Sequence, residues 1–177
     1  MIGVLVSGEG TNLQALIDAG LPVAAVASNK HGARALARAE AAGIPTRVFP
    51  LNDYTTRTLR DEALADWLDA HAVDVVVCAG YMQLVTTPFL ERFPGRVVNV
   101  HPSLLPAFPG LGAIDAALAA GVDTTGVTVH IVDEGVDSGP ILRQEPVAVE
   151  PRETLAERIH GVEHRILPEV VRELCAR

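Results

Sequence analysis

Asn99 and His101 are the two residues of this chain whose types and spacing best suit chemistry. They stand in the run Asn99-Val-His101-Pro-Ser-Leu-Leu-Pro106, at the end of the apolar segment Arg96-Val-Val-Asn-Val-His101. Side chains along a strand alternate between its faces, so residues two apart project to the same side. Pro102 lacks an N–H and cannot continue a central strand, which puts the pair at the carboxyl end. Open α/β sheets place their ligands there. The amide offers a neutral hydrogen-bond donor, and the imidazole gives or takes a proton near pH 7. The bland alternative is a loop-capping Asn99 and a satisfied loop histidine; the three prolines and the strand context weigh against it.

Asp137 is a candidate acidic partner. It lies in the turn Asp133-Glu-Gly-Val-Asp-Ser-Gly139, after a strand expected to neighbour the His101 strand. A carboxylate beside an imidazole favours the imidazolium form, which suits a histidine that stabilises an oxyanion or donates a proton. Asp133 and Glu134 share the turn, and spacing alone does not choose among the three. A turn aspartate bonding its own backbone is the plain alternative.

Ser7-Gly-Glu-Gly-Thr-Asn12 sits between the first strand and the first helix. Glycines let the backbone approach a ligand closely, and the free N–H groups of a helix N-terminus face an anion. As a dinucleotide fingerprint the loop fits poorly. Leu13 holds the third glycine position, and the second strand ends in Ser28-Asn29 with no acid for a ribose hydroxyl. The loop therefore reads as a site for one phosphate, or as a tight strand-to-helix turn. Further on, His160-Gly-Val-Glu163-His164 matches a zinc pattern. Only Glu169 and Glu173 follow on the same helix, so a third ligand is wanting and no metal is expected.

The elements that must position these residues alternate along the chain. Strands are expected over Ile2–Val6, Val23–Ser28, Arg47–Phe49, Val73–Cys78 and Val97–Val100, and helices over Asn12–Ala19, His31–Ala42, Thr55–Ala70 and Leu111–Ala120. Near-continuous apolar strands such as Val75-Val-Val-Cys78 imply cover on both faces. Gly20, Gly43 and Gly121 read as C-caps. Such alternation specifies an α/β fold, a doubly wound, mostly parallel sheet with helices on both faces. The last third differs. Gly126–Val132 alternates, Ile141–Val149 reads as a strand running back, and a helix from about Glu153 to Cys175 contains Pro168.

Composition bounds the function classes. A chain of 177 residues fits one domain, here 1–177, large enough for a core without staples. Aromatic content is only 4% against 49% hydrophobic, so Ala, Val, Leu and Ile must fill the core. A net charge of −8 with no basic run argues against a nucleic-acid surface. Any anionic ligand must then be held locally. Two cysteines without metal or redox spacing, no signal-type start and no long apolar stretch point to a cytoplasmic protein with free thiols and no membrane contact.

Taken together, Ser7–Asn12, Asp74-Val-Val-Val-Cys-Ala-Gly-Tyr-Met82, Asn99–Pro106, Phe108-Pro-Gly110 and Asp137-Ser-Gly-Pro140 resemble the folate-dependent formyltransferases. Within that family the likeness, from Gly3 to about Leu174, is to the branch whose acceptor is phosphoribosylglycinamide. The resemblance implies a Rossmann-like formyltransferase fold. It also implies transfer of the formyl group of 10-formyltetrahydrofolate, a co-substrate, to the glycyl amine of the phosphoribosyl acceptor. Carried over residue by residue, Asn99, His101 and Asp137 would be catalytic. Gly10, Thr11 and Asn12 would hold the phosphate, and His160 and Glu163 would meet the rest of the acceptor. Arg57, Met82, Gln83, Leu84, Val85, Asn99, Asp133 and Val136 would serve the folate. Gln83 stands where an arginine is common and His160 where Gln or Lys is more usual. Ala107 and Gly112 replace a lysine and a histidine of some relatives. The resemblance implies small-molecule partners only, and a monomer or homodimer.

The motif around His101 is shared across the family and does not name the acceptor. A formyltetrahydrofolate hydrolase would use water and carry an N-terminal regulatory domain. A methionyl-tRNA formyltransferase would add a C-terminal domain and basic surface. A non-enzymatic phosphate-binding module would need the loop but not the Asn–His pair.

Overall fold

The computed structural model describes residues 1–176. Seven strands form one sheet in the order β3-β2-β1-β4-β5-β6-β7. They are β1 (Ile2–Val6), β2 (Val23–Ser28), β3 (Thr46–Val48), β4 (Val75–Cys78), β5 (Val97–His101), β6 (Thr124–Ile131) and β7 (Ile141–Ala148). The first five run parallel; β6 is antiparallel to β5, and β7 antiparallel to β6. The helices are α1 (Thr11–Asp18), α2 (Arg34–Ala41), α3 (Arg57–Ala70), α4 (Thr87–Arg92), α5 (Ala113–Ala120) and α6 (Leu155–Cys175).

Strand alternation divides the core. Ile2, Val4 and Val6 of β1, with Val75 and Val77 of β4, pack with Leu13 and Leu16 of α1, Ala35 and Ala39 of α2, and Leu155, Ile159 and Ile166 of α6. Leu5, Val76, Cys78 and Val97 face the other way, against Leu64 and Leu68 of α3 and Phe89 of α4. Both layers are fully shielded, which is why these strands carry no polar face. Burial pushes the Cys78 thiol up to about 12, so it behaves as a small apolar side chain.

Several boundaries differ from the sequence expectation. Residues 31–33 form a turn before α2, because Ala33 at its N-cap is extended. Thr56 caps α3 by accepting the Leu59 N–H, and so starts that helix later than expected. Arg152–Thr154 is a 3-10 turn, delaying α6 to Leu155. Strand β5 runs one residue further than expected and includes His101. Helix α4 was not anticipated: it is six residues long, too short for a helical period to register. The expected C-cap glycines do adopt positive φ, at 68° for Gly20, 71° for Gly43 and 65° for Gly121.

β1 has β2 on one side and β4 on the other, so the direction of winding reverses there. A crevice opens outside the carboxyl ends of strands at such a point. Gly10 shapes its β1 side. It sits at φ 75° at the N-cap of α1, and an added Cβ would lie 2.5 Å from Ala35 Cβ and 2.7 Å from Ala35 Cα. The loop is pinned to α2 by the Ala35 N–H, which donates to the Gly8 carbonyl at 3.0 Å. Gly10→Ala combines a left-handed backbone with a clash against backbone, and should cost about 2–3 kcal/mol. Urea denaturation measures this; a loss below about 0.5 kcal/mol would mean that the loop is not held against α2.

Candidate active site

A cleft of about 540 Å³ opens at the reversal point. Three strand ends supply it: the loop after β1 with Gly8–Asn12, the segment after β4 with Ala79–Leu84, and Asn99–Pro102 at the end of β5. Gly110–Gly112, Val136 and Asp137 close it from the β6 side, and His160 and Glu163 from α6.

At its centre Asn99 and His101 share a face of β5, as alternation requires. His101 is 4% exposed. Its Nδ1 lies 3.2 Å from Asp137 Oδ2 and its Nε2 lies 2.8 Å from the Phe108 carbonyl oxygen. Both neighbours are acceptors, so the ring makes both bonds together only with a proton on each nitrogen. Phe108 and Asp137 are also two of the three non-glycine residues at positive φ among the described residues, at 52° and 51°. Such backbone costs about 1–3 kcal/mol per residue and gathers at functional sites. Here both strained residues hold the same imidazole.

His130 was missed by the sequence reading. It lies in β6 directly opposite Asn99 and is 2% exposed. Its Nδ1 faces the Ile131 carbonyl at 2.9 Å, while Nε2 lies 3.2 Å from Asn99 Nδ2 and 3.4 Å from Asp137 Oδ1. Asn99 Nδ2 also donates to Asp137 Oδ1 at 3.3 Å. The Gly110 N–H donates to Asp137 Oδ2 at 2.7 Å. The one available signal for His130 was alternation, which sets it on the same strand face as Thr128.

Asp137 is therefore the carboxylate that meets His101, and the other two candidates of its turn are not. Asp133 accepts from the Gly135 N–H and the Ser138 hydroxyl, closing its own loop, and Glu134 accepts from the Thr87 hydroxyl. Asp133, Arg57 and Val85 do not line the cleft. Val85 packs against the α3 side of the core, and Arg57 is exposed on the first turn of α3.

At the β1 end, α1 begins with no side-chain cap and no acidic residue in its first turn. Its leading N–H groups are thus left for an anion. Asn12 Nδ2 donates to Glu163 Oε2 at 3.2 Å, while Asn12 Oδ1 is buried without a partner. Glu163 is 4% exposed and also takes a hydrogen bond from His160 Nδ1 at 3.0 Å. That bond raises the His160 pKa, against an opposing effect of burial. His160 Nδ1 is thus engaged by a carboxylate one helical turn on. Among the described residues no group of three or more His, Cys, Asp or Glu is placed to hold a metal ion. At the other end Met82, Leu84, Leu111 and Val136 are large apolar side chains left at least half exposed around the cleft.

The Asp137 carboxyl is pulled down from 3.8 to about 2. The His130 hydrogen bond contributes most; burial opposes it, and the Gly110 N–H and the charge of His101 add to it. A folded pKa below the unfolded value means stability that is present above about pH 4 and lost as pH falls through 2. The shift corresponds to about 2 kcal/mol. Urea titrations of the protein and of Asp137→Asn should therefore differ by about 2 kcal/mol near neutral pH and converge toward pH 2. A difference that does not depend on pH would contradict this account of the carboxylate.

Residues 1–171 match the formyl transferase family. The phosphoribosylglycinamide formyltransferase of Bacillus subtilis is 38% identical over 182 residues, covering 97% of this chain and 92% of that protein. The trifunctional purine biosynthetic protein adenosine-3 of Gallus gallus is 44% identical over 176 residues, 94% of this chain but only 18% of that protein. The chain thus spans less than a fifth of that longer relative. Among solved structures, glycinamide ribonucleotide transformylase 1 from Symbiobacterium toebii superposes with a TM-score of 0.94 at 49% identity, over 97% of this chain and 85% of that one. With nearly its whole length matched, and the seven-stranded sheet shared with such a relative, the chain belongs to the formyl transferase family.

Proposed function

We propose that this protein transfers a formyl group from 10-formyltetrahydrofolate to the glycyl amine of phosphoribosylglycinamide, a step of purine biosynthesis, in the cytoplasm. The observation that carries the reading is the placement of Asn99, His101 and Asp137 between two chemically different ends of one cleft. The Gly10–Asn12 end offers uncapped helix N–H groups, suited to a phosphate. The end around Met82, Leu84, Leu111 and Val136 offers apolar surface, suited to a flat heterocycle. The reactive residues lie where the two ligands would meet. The names borne by its relatives support the same acceptor and a formyl group as the group transferred.

The folate supplies an activated formyl group on nitrogen; the chain's residues supply placement and charge. The phosphate of the acceptor sits on the loop Gly10, Thr11 and Asn12, and Glu163, with His160 beside it, receives hydrogen bonds from the glycinamide portion. This fixes the amine toward Asn99 and His101. The Asn99 amide donates to Asp137 Oδ1 at 3.3 Å, long for an N–H bond, so an N–H can turn to the formyl oxygen. His101, charged while it donates to both Phe108 and Asp137, presents positive potential to the same oxygen as negative charge develops there. Asp137 stays ionised throughout the working pH range and balances that charge. Protons pass from the amine to the leaving nitrogen through water.

The test follows absorbance of the folate product with and without the acceptor. Acceptor-dependent turnover that disappears in His101→Ala is expected. Turnover without acceptor would make the protein a hydrolase instead, and none under either condition would overturn the reading. Asn99→Ala should lose about 10²–10³ in kcat with its fold retained. A folded Asn99→Ala variant with undiminished kcat would remove Asn99 from the mechanism.

A further inference from the structure

Arg60 and Asp61 are both fully buried, with no exposed side-chain surface. They are neighbours on α3 and lie outside the cleft lining. Consecutive helical residues do not ordinarily face one another, yet Arg60 turns back onto Asp61. Its Nε donates to Asp61 Oδ1 at 2.7 Å, and one terminal guanidinium nitrogen lies 2.6 Å from the same oxygen. Two charges have been taken fully out of water to make this contact. A buried pair of this kind is a weak source of stability, and apolar residues of similar volume often serve the fold as well. The pair calls for another explanation, and its remaining hydrogen bonds supply one.

All of those bonds go to one short segment between β4 and α4. Arg60 donates to Gln83 Oε1 and to the Leu84 carbonyl, both at 3.4 Å. The Thr86 N–H donates to Asp61 Oδ2 at 2.7 Å. Among the described residues no other element bonds the backbone of Gln83, Leu84 or Val85. Gln83 and Leu84 line the cleft on the side where Leu84 and Met82 stay half exposed. An irregular segment without secondary structure is otherwise free to shift. The short Thr86 N–H bond to Asp61 ties its far end firmly, and the buried Arg60 guanidinium, at the longer 3.4 Å, adds charge-assisted contacts to Gln83 and Leu84 that apolar packing does not offer.

We propose that the Arg60–Asp61 pair is a positioning device which holds the Gln83–Thr86 wall in place and thereby sets affinity for the formyl donor. The donor half of this inference rests on the function proposed above; the positioning half does not. Arg60 and Asp61 touch no reacting atom, so their effect reaches the ligand only through the wall.

The double variant Arg60→Met/Asp61→Leu removes both charges at once and leaves neither stranded. It should fold, yet the Thr86 amide should exchange with deuterium at least about tenfold faster, while amides of β1 and β4 keep their protection. The KM for 10-formyltetrahydrofolate should rise about tenfold, with kcat and the KM for phosphoribosylglycinamide within about twofold of the parent. Should the double variant fail to fold, Arg60→Lys keeps the charge balance but loses the planar fork, and the same split in KM and the same exchange change are expected of it. Thr86 exchange needs no substrate, so it reads the positioning role even if the parent protein turns over neither substrate, a result that would sink only the formyltransferase reading and the donor half. Unchanged Thr86 exchange in a folded variant would overturn the proposal. So would a donor KM that stays put, or one that rises together with the acceptor KM.

Discussion

The carboxylate of Asp137 stands within reach of four partners from three parts of the chain: Asn99 and His101 near the end of β5, His130 in β6, and the Gly110 N–H in the loop before α5. A carboxylate has about four acceptor positions, so this arrangement uses its full capacity. It also explains why the carboxyl stays ionised to such low pH. Remove the charge, and two buried imidazoles and an amide lose their common anchor. The strained backbone of Asp137 and Phe108 makes sense against this requirement, since the ring of His101 is gripped from both edges by residues at positive φ.

The sheet brings that cluster to the carboxyl ends of its strands, beside the cleft. Parallel β1, β4 and β5 end together at the reversal of winding, each contributing a loop to one cleft. The antiparallel turn into β6 is what brings His130 back alongside Asn99. Thr128, opposite His101, donates to the Ser103 carbonyl and accepts from the Leu105 N–H, fixing the chain just beyond the histidine. Chemistry at the centre thus depends on pairing register as well as on composition.

Much of this was legible in the residues. Apolar runs with intervening helical segments gave the doubly wound sheet. Period-two spacing put Asn99 and His101 on one face, and Pro102 put them at its end. The glycines of Gly8–Gly10 pointed to a close approach of backbone, which the structure shows against Ala35 of α2. What was hidden needed partners distant in sequence. His130 becomes relevant only once β6 pairs antiparallel with β5 in one register. The choice of Asp137 over Asp133 and Glu134 depends on the path of a turn. Arg60, on a helix of ordinary charge density, reads as a solvated residue, and only the packing of the β4–α4 segment reveals it as buried. Arg57, Val85 and Asp133 came by resemblance to the family rather than from local pattern, and they fall outside the cleft lining.

If Asp137 makes Asn99 and His101 parts of a single unit, removing two members should cost little more than removing one. A double-mutant cycle on turnover with Asn99→Ala and Asp137→Asn measures this directly. The account predicts strong non-additivity, with the double variant within about threefold of the slower single variant. Losses that multiply, so that the double variant falls by the product of the two, would mean that Asn99 and Asp137 act independently, and would contradict the account.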